Sequence, residues 1–343
     1  MDIVVTAPVP HIRRFTKSKL TTFAASTRKG TRPVSPTATS IAEIKQTDTV
    51  WQVIGDFCAL LKPRVMSLVV FTGFVGMYLS PGSLEPALQV VAIICIAVGA
   101  GASGAINMWF DRDIDALMMR TKERPIPSGK VSPEAAIIFG VLLSGGAVMI
   151  MGLAINWVSS ALLGITIAFY VLIYTVWLKR RTPQNIVIGG ASGAFPPLIG
   201  WASLTGGISI EPLVLFAIIF FWTPPHFWAL ALFRSGDYQI AKIPMLPLTN
   251  GRNSTINHIV VYSLILSLVS IMPVVLGCSG LVYLLIIIPL DIAFVWFAYC
   301  IFRNDTDKNA KVLFGFSILY LFLVFSGLLA DDLLISSFFP NVL

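Results

Sequence analysis

Charged residues are scarce in this chain, and their scarcity excludes an ordinary soluble domain. Only 12% of the 343 residues are Asp, Glu, Lys or Arg and 56% are hydrophobic, whereas an average globular chain carries about 25% charge. Cysteine is also rare, and its spacing includes no CxxC motif, which argues against a zinc site or a redox pair. We expect the cysteines to serve as small apolar residues in a helix bundle. They are Cys58, Cys95, Cys278 and Cys300.

Hydrophobic runs of about 20 residues, the length that crosses a bilayer as a helix, recur along the chain. The weakest run contains Pro196 and Pro197, which membrane helices tolerate when neighbours satisfy the freed backbone. Asp291 falls in the middle of the eighth run, and we expect it to face the bundle interior beside a polar partner. We therefore predict an all-α integral membrane protein, a nine-transmembrane-helix bundle. The predicted spans are 64–80, 86–110, 134–155, 157–177, 186–204, 212–233, 258–277, 280–302 and 310–330.

Basic residues are distributed unevenly between the two ends of these predicted helices. All 24 Lys and Arg residues fall within the first 64 residues or in the connections after the second, fourth, sixth and eighth helices. The positive-inside rule therefore places the N-terminus in the cytoplasm and the C-terminus outside. This topology accounts for the net charge of +7 without a nucleic-acid partner.

The first 54 residues differ in composition from the rest of the chain. They are rich in Ser, Thr, Pro, Lys and Arg, so we predict a disordered basic tail. The stretch HIRRFTKSKLTTFAASTRKGTRP is typical both of a mitochondrial transit peptide and of a basic tail beside anionic lipid. We expect no secretory signal peptide, and without a clear cleavage site we favour the bacterial plasma membrane over the mitochondrial inner membrane. Residues 55–335 form the predicted membrane domain and 336–343 a C-terminal tail.

Three polar side chains end the second apolar run at its predicted cytoplasmic end. Asn107, Asp111 and Asp115 are spaced by four residues, which places them on one face of a helix. Such groups are costly near lipid unless they bind something. Two carboxylates and an amide oxygen are hard ligands that suit Mg²⁺ holding a phosphate group, so we predict a magnesium site here. Asp113 points to the opposite face and is predicted to be solvated or ion-paired.

Basic residues follow this acidic stripe and recur at other predicted cytoplasmic positions. With Mg²⁺ on the carboxylates, they would neutralise the rest of a diphosphate. Alternatively, they only obey the positive-inside rule or attract anionic lipid head groups. The candidates are Arg112, Arg120, Lys122, Arg124 and Lys130 after the second helix, Lys179, Arg180 and Arg181 after the fourth, and Lys62 and Arg64 at the start of the first.

A second polar loop follows the sixth helix on the same predicted side. It contains Asp237 and Tyr238, with Arg234 and Lys242 nearby. A single Asp is weak evidence by itself, but this one lies just past a helix end on the side of the acidic stripe. His226 lies within the preceding helix after two prolines, where an ionisable residue is a functional candidate. A histidine bonded to backbone that the prolines free explains His226 equally well.

Three segments carry a resemblance to a known family: NMWFDRDIDALMMRTKERPIPSG (107–129), WLKRRTPQNIVIGG (177–190) and FWTPPHFWALALFRSGDYQIAKIPMLP (221–247). On these segments, residues 57–330 resemble the UbiA superfamily of intramembrane prenyltransferases, and within it the protohaem IX farnesyltransferase (haem O synthase) branch. That superfamily has nine helices and two Asp-rich motifs on cytoplasmic loops. Its second motif usually has two Asp residues four apart, but position 241 of this chain is Ala. Asp237 then acts alone, as in the haem branch.

The resemblance implies transfer of the farnesyl group of farnesyl diphosphate to a vinyl group of haem b, giving haem O and diphosphate on the route to haem A for terminal oxidases. It implies Mg²⁺ as cofactor. The implied partners are the two substrates, the lipid bilayer, and the next haem-modifying enzyme or a terminal oxidase assembly. Catalysis and metal binding are assigned to Asn107, Asp111, Asp115 and Asp237. Substrate binding is assigned to Arg64, Arg120, Lys122, Arg124, Lys179, Arg180, His226, Arg234 and Tyr238.

Two other functions stay open at this stage. Prenyl transfer to an aromatic or quinone precursor would use the same metal chemistry, although the single Asp of the second motif and the TPPHFW segment argue against it. A transporter would fit helices with intramembrane Pro, Gly, His and Asp. The acids here lie at the predicted cytoplasmic rim, however, whereas transport sites usually lie near the membrane midplane.

Overall fold

Helices make up the regular structure of residues 49–338, the part of the chain that this computed structural model describes. Within that range the chain forms no strand, and two long connections each carry short helices of their own. The helices are α1 (Val50–Leu60), α2 (Pro63–Tyr78), α3 (Pro86–Phe110), α4 (Arg112–Leu117), α5 (Pro133–Ile155), α6 (Trp157–Leu178), α7 (Asn185–Thr205), α8 (Ile210–Phe233), α9 (Ser235–Ile240), α10 (Leu246–Thr249), α11 (Arg252–Val275), α12 (Leu281–Arg303) and α13 (Asp307–Phe338).

Eight helices of this range are long and apolar enough to cross a membrane: α3, α5, α6, α7, α8, α11, α12 and α13. α1 and α2 are bent by 56° at their junction and provide a ninth crossing when they are counted as one span. Each of the nine predicted runs coincides with one of these helices. These helices confirm the predicted all-α membrane fold. The prediction succeeds because a run of about 20 apolar residues is sufficient to specify a spanning helix.

The first helix begins earlier than the sequence predicted. α1 starts at Val50, so residues 50–54, assigned to the disordered tail, are helical. The cause is a capping box: the Thr49 N–H donates to Gln52 Oε1 at 2.8 Å, and the Gln52 N–H donates to Thr49 Oγ1 at 3.4 Å. α13 likewise extends to Phe338, past the predicted boundary at 335. The rest of both predicted tails, 1–48 and 339–343, lies outside the described residues.

α2 and α7 pack together closely because glycines lie at their contact. A Cβ atom added at Gly200 would lie 2.0 Å from the carbonyl oxygen of Gly73, and one added at Gly76 would lie 2.3 Å from that of Pro197. No side chain other than hydrogen fits at these distances. The two backbones therefore meet directly, as at other small-residue contacts between membrane helices.

The C-terminal half of α6 has an unusual winding. Phe169–Leu178 forms a π-helix, in which hydrogen bonds span five residues. The Lys179 N–H donates to Tyr174 O at 2.9 Å, and the Thr175 hydroxyl donates to Tyr170 O at 2.9 Å. The wider turn rotates the end of this helix and presents Thr175 and Lys179 to the end of α3.

A buried polar network joins α11, α12 and α13. Asp291 accepts hydrogen bonds from the Ser270 hydroxyl at 2.8 Å and from the Tyr320 hydroxyl at 2.7 Å, which confirms the expected polar partner. Asp331 of α13 accepts hydrogen bonds from the backbone N–H groups of Gly280 and Tyr283 and so caps the first turn of α12. These bonds satisfy two acids whose burial would otherwise be costly.

Candidate active site

The acidic stripe lies where the chain leaves α3 and enters α4. The helix is interrupted at Asp111, yet its hydrogen bonds continue: the Asp111 N–H donates to Asn107 O at 2.9 Å, and the Asp115 N–H donates to Asp111 O at 2.8 Å. Asn107, Asp111 and Asp115 are 3%, 0% and 1% exposed. Two carboxylates are therefore buried at this helix end, where they need compensating charge or hydrogen bonds.

Asn107 connects the stripe to two other helices. Its Nδ2 donates to Asp111 Oδ2 at 2.8 Å and to Thr175 Oγ1 at 3.1 Å, while its Oδ1 accepts from Lys62 Nζ at 3.0 Å. Lys62 lies at the junction of α1 and α2 in a left-handed conformation, with φ +52°. The following Pro63 disfavours the right-handed helical conformation there. The resulting bend brings the Lys62 ammonium group to the stripe.

Asp111 is compensated by the connection that follows α6. Lys179 Nζ bonds to Asp111 Oδ2, and Arg180 Nη2 lies 3.5 Å from Asp111 Oδ1. The main partner of Arg180, however, is Asp113, whose two carboxylate oxygens it binds at 2.6 and 2.8 Å. This bidentate pair holds the pKa of the Asp113 carboxyl below its ordinary value. The ion-paired role expected for Asp113 is confirmed, and Arg180 is shared between the two acids.

Asp115 is compensated from within its own loop. Arg124 Nη1 lies 2.7 Å from Asp115 Oδ2, and the Thr121 hydroxyl donates to the backbone oxygen of Asp115 at 2.8 Å. These bonds fold residues 117–124 back towards the stripe. Arg124 is thereby paired with Asp115, and its predicted contact with a diphosphate stays a prediction.

The second polar loop meets the first through one side-chain pair. Arg120 Nη2 donates to the Tyr238 hydroxyl at 3.2 Å, and the guanidinium lies 5.2 Å from the centre of the tyrosine ring. Burial raises the pKa of the Tyr238 hydroxyl, which therefore stays protonated at neutral pH. The loops also share a buried apolar cluster with the start of α7. Its members are Ile114, Met118, Ile186, Ala231, Tyr238, Ala241, Ile243 and Met245.

Four buried oxygens in this region have no hydrogen-bond partner among the described residues: Asp111 Oδ1, Asp115 Oδ1, Asn185 Oδ1 and Asp237 Oδ2. Leaving a buried acceptor unsatisfied costs about 1–3 kcal/mol, so such atoms indicate a missing donor or cation. In the described range no three acidic, histidine or cysteine side chains form a metal-binding group by themselves. Arg124 and Lys179 pair with two of the acids. The donor set, hard oxygens with unused lone pairs, nevertheless fits Mg²⁺.

The sequence profile of the UbiA prenyltransferase family matches residues 69–325. The chain belongs to the UbiA prenyltransferase family. A Parvibaculum lavamentivorans protein named protoheme IX farnesyltransferase is 58% identical over 283 residues, covering 81% of this chain and 89% of that protein. A protein of the same name from Sinorhizobium fredii is 56% identical over 280 residues, covering 80% of this chain and 88% of that protein.

Solved structures of other proteins share the fold of this UbiA family member. A digeranylgeranylglyceryl phosphate synthase superposes with a TM-score of 0.69 at 18% identity, covering 82% of this chain and 98% of that one. A UbiA homolog from Archaeoglobus fulgidus, bound to GPP and Mg²⁺, gives a TM-score of 0.59 at 17% identity, covering 80% of this chain and 99% of that one. At such identities the likeness concerns the fold alone.

Several residues predicted to bind substrate are not joined to the stripe. Arg64 on α2, Lys122 after α4 and Arg234 after α8 are exposed, and the Arg234 guanidinium lies 5.9 Å from the centre of the Phe233 ring. Their roles stay predictions, because long basic side chains at the rim can reach a bound anion or a lipid head group. Asp237 is partly buried next to Tyr238, and its role in the site stays a prediction.

His226 lies in a packed part of the UbiA bundle. Its ring is stacked between Trp222 at 4.3 Å and Phe314 at 4.6 Å, and its Nδ1 lies 2.6 Å from Ser317 Oγ. Because the Ser317 hydroxyl donates to Phe314 O at 2.7 Å, we assign the proton of the neutral ring to Nδ1. The residue is bonded to a serine of α13 and not to backbone freed by the prolines. Its predicted substrate contact stays a prediction.

Three side chains of this region have surroundings that the sequence did not predict. Thr175 lies inside an apolar run, where nothing marks it as a partner of Asn107. Lys62 was weighed as an anion-binding or lipid-facing residue, and the bend before Pro63 that directs it to Asn107 cannot be read locally. Asn185, at the start of α7, has a buried and unsatisfied oxygen that only the packing shows.

Proposed function

We propose that this UbiA family member transfers the farnesyl group of farnesyl diphosphate to a vinyl group of haem b, giving haem O. The bond between farnesyl C1 and the diphosphate oxygen breaks, and a carbon–carbon bond forms between C1 and the terminal vinyl carbon. Water adds to the inner vinyl carbon and loses a proton, so diphosphate and the hydroxyethylfarnesyl haem are released. The observation that carries this proposal is a set of buried carboxylate oxygens without hydrogen-bond partners, close to basic side chains at one end of a membrane bundle.

The identity of the substrates is supported by the relatives. Two proteins that are 58% and 56% identical to this chain over four-fifths of its length are named protoheme IX farnesyltransferase. Their name supports haem b as acceptor and a farnesyl donor. An apolar helix bundle with buried charge at one end suits a donor that has an isoprenoid tail and a diphosphate head.

Each charged residue of the site has a task in this reaction. Mg²⁺, when bound, supplies positive charge that stabilises the departing diphosphate. Asp111, Asp115 and Asp237 would hold it through the oxygens that have no hydrogen-bond partner. Asn107 would join them through its Oδ1, which accepts from Lys62 in this structure. Lys179 and Arg124 now pair with the acids, and they are placed to bind the diphosphate oxygens once the carboxylates bind a cation.

The second loop supports an asymmetric site. Ala241, four residues after Asp237, packs in the apolar cluster that joins the loops, so α9 offers one carboxylate. This arrangement argues against two equivalent metal sites. The contact between Arg120 and Tyr238 holds the loops together next to the stripe. Burial of the stripe keeps bulk water away from the allylic carbon before the haem captures it.

We further propose that the protein lies in the bacterial plasma membrane with its N-terminus in the cytoplasm, the mitochondrial inner membrane being the alternative. The distribution of all 24 Lys and Arg residues supports this orientation. The two relatives named above come from bacteria, which supports the first membrane. Contact with the next haem-modifying enzyme or with a terminal oxidase assembly stays a prediction.

The test is product formation by the purified protein in liposomes with haem b, farnesyl diphosphate and Mg²⁺, followed by mass spectrometry of the extracted haem. We expect a Mg²⁺-dependent haem that has gained one farnesyl group and one hydroxyl group. Asp115→Asn should abolish the product while the protein remains folded. Asp113→Asn, two residues away but on the opposite face, is the matched control and should retain activity.

Two outcomes would contradict the proposal. Absence of farnesylated haem, under conditions in which haem is seen to bind, would remove haem b as the acceptor. Farnesylation of an aromatic or quinone precursor in a parallel reaction, with haem unchanged, would favour the other acceptor class within the same family.

A further inference from the structure

We propose, on the basis of the proposed function, that Asn185 supplies a further oxygen ligand to the divalent cation at the acidic stripe. Asn185 is the first residue of α7 and is 1% exposed. Its Oδ1 atom is buried and has no hydrogen-bond partner in the described part of the chain. Leaving such an acceptor unsatisfied destabilises the fold unless a ligand or water satisfies it.

The orientation of the Asn185 carboxamide is fixed by its nitrogen. Nδ2 donates to the backbone oxygen of Thr182 at 2.6 Å. Exchanging the amide oxygen and nitrogen would place two acceptors against each other, so the unsatisfied atom is the oxygen. Thr182 is itself held in the turn after α6, where its N–H donates to Leu178 O at 3.1 Å. The side chain is therefore a preoriented acceptor that needs a cation or a donor.

The helix geometry directs this oxygen towards the site. Residues 185 and 189 lie on the same face of α7, one turn apart, and a Cβ atom added at Gly189 would lie 2.2 Å from the Tyr174 ring. Thr175, which follows Tyr174, bonds to Asn107 of the stripe. Asn185 thus projects from the α7 face that packs on α6 where α6 meets the stripe.

The next residue of α7, Ile186, packs against both acidic loops. Ile186 packs in the cluster that contains Ile114 of α4 and Tyr238 of α9. Ile114 lies next to Asp115 in the chain, and Tyr238 lies next to Asp237. The unsatisfied oxygens of the two loops and of α7 therefore belong to one region of the protein.

The chemistry of an amide oxygen fits this task. Hard cations accept Asn oxygens as readily as they accept backbone carbonyls. α9 contributes the single carboxylate of Asp237, because Ala241 offers no oxygen on its side chain. An Asn oxygen beside that loop adds a neutral ligand without adding another negative charge to compete with the diphosphate.

The experiment is a titration of the purified full-length protein with Mn²⁺ in the presence of farnesyl diphosphate, followed by electron paramagnetic resonance of free Mn²⁺. Asn185→Leu keeps the branching at Cγ but removes the oxygen, and its Mn²⁺ affinity should fall about 10- to 100-fold. Asn185→Asp keeps an oxygen ligand but loses the bond to Thr182 O, and it should bind Mn²⁺ more tightly than Asn185→Leu. Gln184→Leu, an exposed neighbour, is the matched control and should bind as the wild type does.

The outcomes separate this inference from the proposed function. If the wild type binds Mn²⁺ and folded Asn185→Leu binds it equally well, Asn185 is not a ligand, although the proposed function stands. If Asn185→Asp binds as weakly as Asn185→Leu, the effect is structural and the inference fails. If the wild type itself binds no Mn²⁺ with farnesyl diphosphate, the metal chemistry of the proposed function fails, and this inference fails with it. Near-ultraviolet circular dichroism of each variant reports the fold.

Discussion

Lys179→Met should destabilise the protein in the absence of Mg²⁺ and make its stability more dependent on that ion. Lys179 forms the bond that compensates the fully buried carboxylate of Asp111, and its side chain is 15% exposed. Breaking a buried pair by removing one partner typically costs about 3–5 kcal/mol, because the other charge stays behind without compensation. We expect the lower end, since Arg180 remains 3.5 Å from the other Asp111 oxygen.

A loss of about 3 kcal/mol corresponds to a decrease in Tm of roughly 6–12 °C, at 2–4 °C per kcal/mol for domains of 150–250 residues. The assay is thermal unfolding of detergent-solubilised protein, with and without Mg²⁺. A cation at one hundred times its Kd stabilises the folded state by about 2.7 kcal/mol. Mg²⁺ should therefore restore most of the Tm of Lys179→Met. It should raise the wild-type Tm less, since in the wild type it must displace the Lys179 ammonium group.

Two variants control this experiment. Lys122→Met makes the same change in charge at an exposed position and should leave the Tm unchanged. Asp111→Leu combined with Lys179→Met removes both charges and should recover much of the lost stability. Two results would contradict this role of Lys179. One is a Tm of Lys179→Met that equals the wild-type Tm without Mg²⁺. The other is a Mg²⁺-induced increase in Tm that is the same in both proteins.

Three further predictions concern packing, pH and the contact between the loops. Gly200→Ala should lower the free energy of unfolding by about 1–3 kcal/mol or more, because its Cβ atom would meet the Gly73 carbonyl at 2.0 Å. Gly146→Ala, where an added Cβ atom has no neighbour within 4 Å, should have the Tm of the wild type. Equal Tm values for the two variants would contradict the α2–α7 contact. The ion pair of Asp113 with Arg180 should contribute less than about 1 kcal/mol to the free energy of unfolding, since the Asp113 side chain is 60% exposed. Because the pKa of Asp113 is lowered in the folded state, this contribution is present above the ordinary carboxyl pKa and disappears as the pH falls through the folded pKa. The Tm values of wild type and Asp113→Asn should therefore converge at low pH, and a gap that persists there would exclude the pair as its cause. Arg120→Lys removes the stacking on Tyr238 and should raise the KM for farnesyl diphosphate with a smaller change in kcat; an unchanged KM would show that the contact does not order the loops for substrate.

Local patterns in the sequence predicted the membrane fold. A run of 20 apolar residues specifies a spanning helix without reference to the rest of the chain, and the nine predicted spans coincide with helices of the structure. The start of α1 was missed although its signal is local. Thr49 and Gln52 form a capping box, but its helix was obscured by the polar composition of the preceding tail.

Local spacing predicted part of the site, and the rest depends on contacts between distant segments. A spacing of four residues is enough to place Asn107, Asp111 and Asp115 on one face, and the structure shows them buried there. Their partners depend on features that no local pattern encodes: the bend before Pro63 for Lys62, and the π-helical end of α6 for Thr175.

Arg180 and Asn185 show two kinds of contact that the sequence could not predict. The sequence alone cannot predict whether Arg180 pairs mainly with Asp111 or with Asp113. Both acids lie within its reach, and the main partner depends on how α6 approaches α4. For Asn185, the informative property is an oxygen left without a donor, which exists only after the chain is packed. Unsatisfied buried atoms therefore complement spacing patterns in the search for ligands.

The central claim is that the buried oxygens at this end of the bundle bind a prenyl diphosphate through a divalent cation. Isothermal titration of a non-hydrolysable farnesyl diphosphate analogue, with and without Mg²⁺, tests it directly on the wild type and on a variant that combines Asp111→Asn with Asp115→Asn. The account predicts Mg²⁺-dependent, saturable binding to the wild type and loss of that dependence in the folded variant. Identical heats for the two proteins in the presence of Mg²⁺ would contradict it.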